Sequence, residues 1–188
     1  MKLKYFKPTI VLLVICIVIS GALALTYKFT YVPPLTDPED IIAAMSGEYE
    51  KVLPGSTDYQ LLYRAEGYDK LVRGEVVEAV SASNGYVITA HSSGQYDSDP
   101  IRVMVGIDGN GNVTAVNILK ISETPGLGMK TKSEFWLSQF SGGNSFSLEE
   151  GQGTRIDGVT SATKSSRAVV GAVNLAMEEY RRIISEVN

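Results

Sequence analysis

The sequence predicts an α+β domain, an antiparallel sheet with packing helices, preceded by one N-terminal transmembrane helix. Three observations carry that expectation. Residues 8–27 form a run of 20 without a charge. The middle of the chain alternates short apolar runs with Gly, Asn and Asp turns, which is the pattern of strands. On either side of that middle, apolar residues recur at helical spacing.

The uncharged run comes first. About 20 apolar residues span a bilayer core. Lys2, Lys4 and Lys7 precede the run and only Lys28 follows closely, an asymmetry that places the N-terminus in the cytoplasm and the rest outside. The expected divisions are residues 1–8 cytoplasmic, 9–28 transmembrane and 29–188 an extracytoplasmic domain. Tyr27, Phe29 and Tyr31 suit the outer interface as aromatic anchors. Ala22-Leu23-Ala24 also fits a signal-peptide cleavage site, but the run exceeds a usual apolar signal region. Either reading exports the domain.

Composition limits what that domain does. Residues 29–188 hold 13 basic and 21 acidic residues, a net charge of −8. Such a domain is a poor nucleic-acid binder and is repelled by anionic headgroups, so membrane contact is expected from the apolar run. The single Cys16 excludes an intrachain disulfide and a Cys-based metal site, and the lone His91 argues against a His-rich metal site or a conventional triad. No nucleophile–base pair stands out, so no catalytic residue and no metal site is assigned.

Residues 36–40, Thr-Asp-Pro-Glu-Asp, read as a helix start with a capping residue, an early Pro and acids at the positive end. Ile41, Met45, Tyr49 and Val52 then repeat at helical spacing until Pro54-Gly55 stops the helix. Strands are expected over 76–80, 85–90, 101–107 and 113–119. Asp108-Gly109-Asn110-Gly111-Asn112 joins the last two as a hairpin. That loop resembles a calcium loop superficially, but Val113 replaces the needed Gly and Leu119 the closing Glu, so calcium is rejected. The aromatics of residues 135–140, Trp136 among them, read as core on a short helix, although Trp136 could also stack on a ligand. Residues 142–153 read as a polar, Gly-rich connection. From Arg167 to Val187 the chain is one amphipathic helix, with Val169, Val173, Ala176, Met177, Tyr180, Ile183 and Ile184 on its apolar side.

Two stretches remain. In Asp157-Gly158-Val159-Thr160-Ser161-Ala162-Thr163, hydroxyl residues gather before the last helix. A helix start has unpaired N–H groups and a partial positive charge that suits phosphate, but Thr160, Ser161 or Thr163 could equally be an ordinary cap. In Glu123-Thr124-Pro125-Gly126-Leu127-Gly128, a Pro stiffens a loop whose glycines let a ligand approach closely, and an ordinary turn reads the same way.

Both stretches resemble signatures of the FMN-binding domain family, whose members include the G subunit of Rnf electron-transport complexes and the C subunit of sodium-pumping NADH:quinone reductases. The first is similar to the flavinylation motif Asp-x-x-(Ser/Thr)-Gly-Ala-Thr, with Ser161 where Gly is usual. The second matches Glu-Thr-Pro-Gly-Leu-Gly at all six positions. Ile121 stands where Rnf members commonly have His. The resemblance covers residues 36–180, and the length suits the Rnf protein better. It implies FMN, moved from FAD by a flavin transferase, bonded through a phosphoester to Thr163. Asp157 is then implied in transferase recognition, and Glu123, Thr124, Gly126, Leu127, Gly128, Thr160, Ser161, Ala162 and Lys164 in holding the cofactor. It further implies an electron-carrying subunit of an ion-translocating complex, with integral-membrane and redox subunits as partners. A stand-alone membrane-anchored flavoprotein and an exported binding module without flavin are the other two expectations.

Overall fold

The computed structural model describes residues 6–30, 37–66, 68, 73–92, 99–122 and 128–187. The chain divides into two compact units, Met1–Thr36 and Asp37–Asn188. In the first, helix α1 (Phe6–Thr30) is exposed over residues 9–30. Its segment Thr9–Thr30 is long and apolar enough to cross a membrane. The helix is apolar all round, as a lipid-facing helix must be and a surface helix of a soluble domain is not.

The second unit is built on one sheet. Strands β1 (Gln60–Arg64), β2 (Val76–Ala82), β3 (Gly85–His91), β4 (Arg102–Asp108) and β5 (Val113–Lys120) lie side by side in chain order, all antiparallel. The four expected strands are present, each shifted or extended by a residue or two. β1 was not singled out in the sequence: its exposure alternates weakly, and a register shift at Leu61/Tyr63 breaks the period-two pattern. The β4–β5 hairpin turns as expected. Asp108 Oδ1 accepts from the N–H groups of Asn110 and Asn112, both at 2.9 Å, and Gly111 adopts φ +82°. The carboxylate therefore serves the turn.

Alternation along the strands sends apolar residues to both faces. On one face α2 (Pro38–Val52) buries Tyr49 and Val52 against Val80, Val87 and Met104. Asp37 occupies its N-cap without a side-chain hydrogen bond, so Pro38 and the acids Glu39 and Asp40 mark the start. On the other face lies the larger core. There α4 (Thr163–Val187) packs Val169, Val173, Ala176 and Met177 against Ile88, Val103, Val105 and Val116. This helix starts four residues before Arg167, so Thr163 is its first residue.

Three short elements close the end of the larger core. A 3-10 helix (Gly128–Lys132), α3 (Glu134–Leu137) and a second 3-10 turn (Ser138–Phe140) follow one another. Trp136, Phe140 and Phe146 stack edge to face, with centroids 5.5 and 5.1 Å apart. The expectation of core aromatics holds for Trp136 and Phe140 but not for Phe135, which is 89% exposed because α3 turns Trp136 and Leu137 inward instead. The Gly-rich connection carries β6 (Phe146–Ser147) and β7 (Thr154–Arg155), paired in parallel.

On the α2 face the sheet also buries ions, which no sequence pattern announced. Glu78 accepts from Tyr49 Oη at 3.1 Å and pairs with Arg64. The ring of Tyr68 lies 3.5 Å from Arg64 Cζ and 4.4 Å from Arg102 Cζ. His91 Nε2 accepts from Arg102 Nε at 3.0 Å. Burial pushes the Glu78 carboxyl above its ordinary range, against the pull of Arg64. Burial and the neighbouring Glu78 push the Tyr68 phenol up to about 12.

Candidate functional site

The segment from Ile156 to Ser166 is held by a few contacts and otherwise displayed. Ile156 is buried, and its N–H donates to Ser147 O at 2.8 Å. The backbone of Asp157 is clamped from both sides: its N–H donates to Gln139 Oε1 at 2.8 Å, and its carbonyl accepts from Trp136 Nε1 at 2.7 Å. Trp136 and Gln139 are thus a bracket for this segment, and the indole N–H is committed to it. The Asp157 carboxylate points outward, 3.6 Å from Arg155 Nε, with both side chains largely exposed.

The chain then folds back on the helix start. Ala162 N–H donates to Val159 O at 2.9 Å, and Val159 N–H donates to Ser166 Oγ at 3.0 Å. Ser166 closes the loop by donating its N–H and its hydroxyl to Ala162 O, at 2.9 and 3.1 Å. Ala162 and Ser166 are buried, whereas Thr160, Ser161, Thr163 and Lys164 are exposed. Ser161 has φ +65°, the left-handed region. That is the position where the resembling motif has Gly, and the backbone supplies the reason: a residue without Cβ enters this region freely.

The ordinary-cap reading fails on geometry. The residue before the first helical residue is Ala162, which offers no side-chain acceptor. Among the described residues, the hydroxyls of Thr160, Ser161 and Thr163 accept no N–H from the first turn, and the N–H groups of Thr163 and Ser165 make no hydrogen bond. The first turn of this 25-residue helix therefore has open donors at Thr163 and Ser165, and Thr163 itself is exposed. Such an end, with its positive partial charge, fits a phosphate. The residues present fit the phosphate of an FMN.

Of the second stretch, Glu123, Thr124, Pro125, Gly126 and Leu127 lie outside the described residues. Gly128 is buried, and its carbonyl accepts from Thr131 Oγ1 at 2.7 Å. The short helix it opens packs on α4. The end of the loop and the helix that Thr163 begins, 35 positions apart in sequence, are thereby brought onto neighbouring elements. Sequence reasoning missed Gln139 and Ser166. Ser166 was one of five hydroxyls in seven residues, and nothing in their spacing ranks them.

Fold and site together describe an FMN-binding-domain protein. A match to the FMN-binding domain covers residues 97–178. Along 95% of its length the chain is 30% identical to the G subunit of the Na(+)-translocating ferredoxin:NAD(+) oxidoreductase complex of Acetobacterium woodii, covering 92% of that protein. It is 28% and 27% identical to the G subunits of the ion-translocating oxidoreductase complexes of Pseudoalteromonas atlantica and Methanosarcina acetivorans, covering 86% and 91% of them. Among solved structures, the C subunit of the Na(+)-translocating NADH-quinone reductase of Parabacteroides distasonis shares the fold. Its TM-score is 0.53 at 14% identity, over 76% of this chain and 83% of that one. The chain belongs to the family of G subunits of ion-translocating oxidoreductase complexes.

Proposed function

We propose that this chain is the electron-carrying G subunit of an Rnf-type ion-translocating complex, anchored by α1 with residues 29–188 outside the cytoplasm, and that its FMN is bonded through a phosphoester to Thr163 Oγ1. One observation supports the linkage above others: an exposed residue, Thr163, opens a 25-residue helix in which, among the described residues, the N–H groups of Thr163 and Ser165 make no hydrogen bond. A phosphate esterified there keeps one negative charge, set against unpaired N–H groups and the positive end of the helix. Formation of the bond joins Thr163 Oγ1 to the FMN phosphorus of FAD and breaks the pyrophosphate link, releasing AMP with the hydroxyl proton.

The redox chemistry belongs to the bound flavin. What the chain supplies is position. Asp157 is fixed through its backbone by Trp136 and Gln139, Ser161 turns the chain, and Ser166 locks the turn to α4. The Gly128 segment packs on that same helix, which favours Glu123, Thr124, Gly126, Leu127 and Gly128 as the residues against the ring and ribityl chain, with Thr160, Ser161, Ala162 and Lys164 around the phosphate. Covalent attachment keeps the flavin in place where free FMN is dilute. The partners are the integral-membrane and redox subunits of the complex, and a flavin transferase during maturation.

The test is the intact mass of the chain from its native membrane, with flavin fluorescence in a denaturing gel. An added mass of FMN, absent from Thr163→Ala, is expected. Fluorescence retained in that variant removes Thr163 as the attachment site.

A further inference from the structure

One patch of the Asp37–Asn188 unit joins exposed apolar side chains to lysines. Phe135 is 89% exposed and Met129 is 38% exposed. They sit on α3 and on the 3-10 helix Gly128–Lys132, two elements that pack together. α3 already buries Trp136 and Leu137, so its packing leaves Phe135 in water. Lys130 and Lys132 are exposed on that 3-10 helix, and among the described residues no ion pair engages either. Glu134 is the carboxylate beside them. In a domain of net charge −8, this is a local reversal of sign joined to two large apolar side chains.

The chain itself argues for the occupant. Only residues 31–36 separate α1 from Asp37, and six residues reach about 20 Å even when fully extended. With α1 in a bilayer, lipid headgroups stay within reach of the domain. Aromatic side chains settle at headgroup depth, and lysines are drawn to anionic lipid.

We propose that Met129, Lys130, Lys132 and Phe135 form a lipid-contact surface, with Phe135 at the headgroup boundary and the two lysines on anionic lipid phosphates. The whole domain is acidic, but the contact is made by this patch alone. Because Gly128 begins the same 3-10 helix, the contact turns that side of the domain toward the membrane. Its meaning for electron transfer rests on the flavin reading above; the contact itself does not.

The experiment uses the full chain in nanodiscs containing phosphatidylglycerol, with Phe135→Trp as the reporter. The parent, whose one Trp136 is buried, sets the baseline. Substituting brominated lipids should quench the added emission, and the emission should be blue-shifted against that in detergent. Lys130→Glu with Lys132→Glu, or discs of phosphatidylcholine alone, should reduce both effects. The proposal is overturned if the reporter ignores brominated lipid and stays open to acrylamide. It is equally overturned if the reporter becomes protected only when integral-membrane subunits of the complex are added, which would make a protein the occupant. Since Phe135 is almost fully exposed, the reporter variant keeps the fold, and its near-ultraviolet circular dichroism verifies that.

Discussion

Ser161 offers a measurable test of how the attachment segment is built. Its φ of +65° places a Cβ where L-residues lose about 1–2 kcal/mol. Ser161→Gly removes that strain but gives the unfolded chain more freedom, which returns about 0.5–1 kcal/mol. The net expectation is a gain of about 0.5–1 kcal/mol. For a domain of this size that raises Tm by roughly 1–4 °C. Ser161→Val should move the other way, since a β-branched residue in this region is a genuine outlier. Thr160→Gly is the control, because Thr160 is not in the left-handed region and the substitution should cost stability.

The assay is thermal unfolding followed in the near ultraviolet. Trp136, hydrogen-bonded to Asp157 O, reports this part of the domain, and α1 contributes no tryptophan. If Ser161→Gly melts no higher than the parent and moves with Thr160→Gly, the left-handed turn is not the reason for the family's glycine, and the account of this segment is wrong.

Four other outcomes follow from the structure. Thr163→Ala should leave stability within about 0.5 kcal/mol of the parent, since the hydroxyl makes no hydrogen bond among the described residues; chemical denaturation checks it. Trp136→Phe should cost about 1–3 kcal/mol by leaving the Asp157 carbonyl without its donor, and should slow flavin attachment as the segment loosens. Gly128→Val should keep the covalent flavin yet shift its midpoint potential in a redox titration; an unchanged potential removes the Gly128 segment from the ring site. Tyr68, pushed up to about 12 by burial and Glu78, stays protonated in the folded state where the unfolded phenol ionises. Its contribution is therefore intact below pH 10 and lost as pH rises from about 10 toward 12, on the order of 2–3 kcal/mol. Ultraviolet titration should show this phenol ionising only as the fold is lost.

Much of this was legible because the signals were local. The charge-free run, the strand–turn–strand pattern around Asp108–Asn112 and the amphipathic helix after Thr163 each follow from spacing within a few residues. The ion network of Arg64, Tyr68, Glu78, His91 and Arg102 was not, because it joins residues up to 38 positions apart that carry no periodic signal. The attachment segment was half legible. Motif resemblance pointed to Thr163, but without it Thr160, Ser161 and Thr163 read equally well as ordinary caps. The structure gives the cap position to Ala162 and turns Ser166 back into the loop, and only tertiary geometry distinguishes those arrangements.

The same geometry separates what holds the segment from what a transferase can read, and Asp157 is where the two are told apart. Its backbone is fixed at 2.8 and 2.7 Å by Gln139 and Trp136. Its carboxylate makes only the long, exposed approach to Arg155 at 3.6 Å, and an exposed pair of this kind contributes at most about 1 kcal/mol, commonly less. Asp157→Ala retains every backbone contact, so a structural role predicts almost no change in stability. If the carboxylate is a recognition group, the same variant should fold like the parent yet acquire flavin more slowly from the transferase, and Asp157→Glu should recover part of the rate. The measurement is a time course of in-gel fluorescence with purified transferase and FAD, run beside denaturant unfolding. Attachment at the parent rate would end the recognition role. A stability loss well above about 1 kcal/mol would instead make the carboxylate part of the scaffold that presents Thr163.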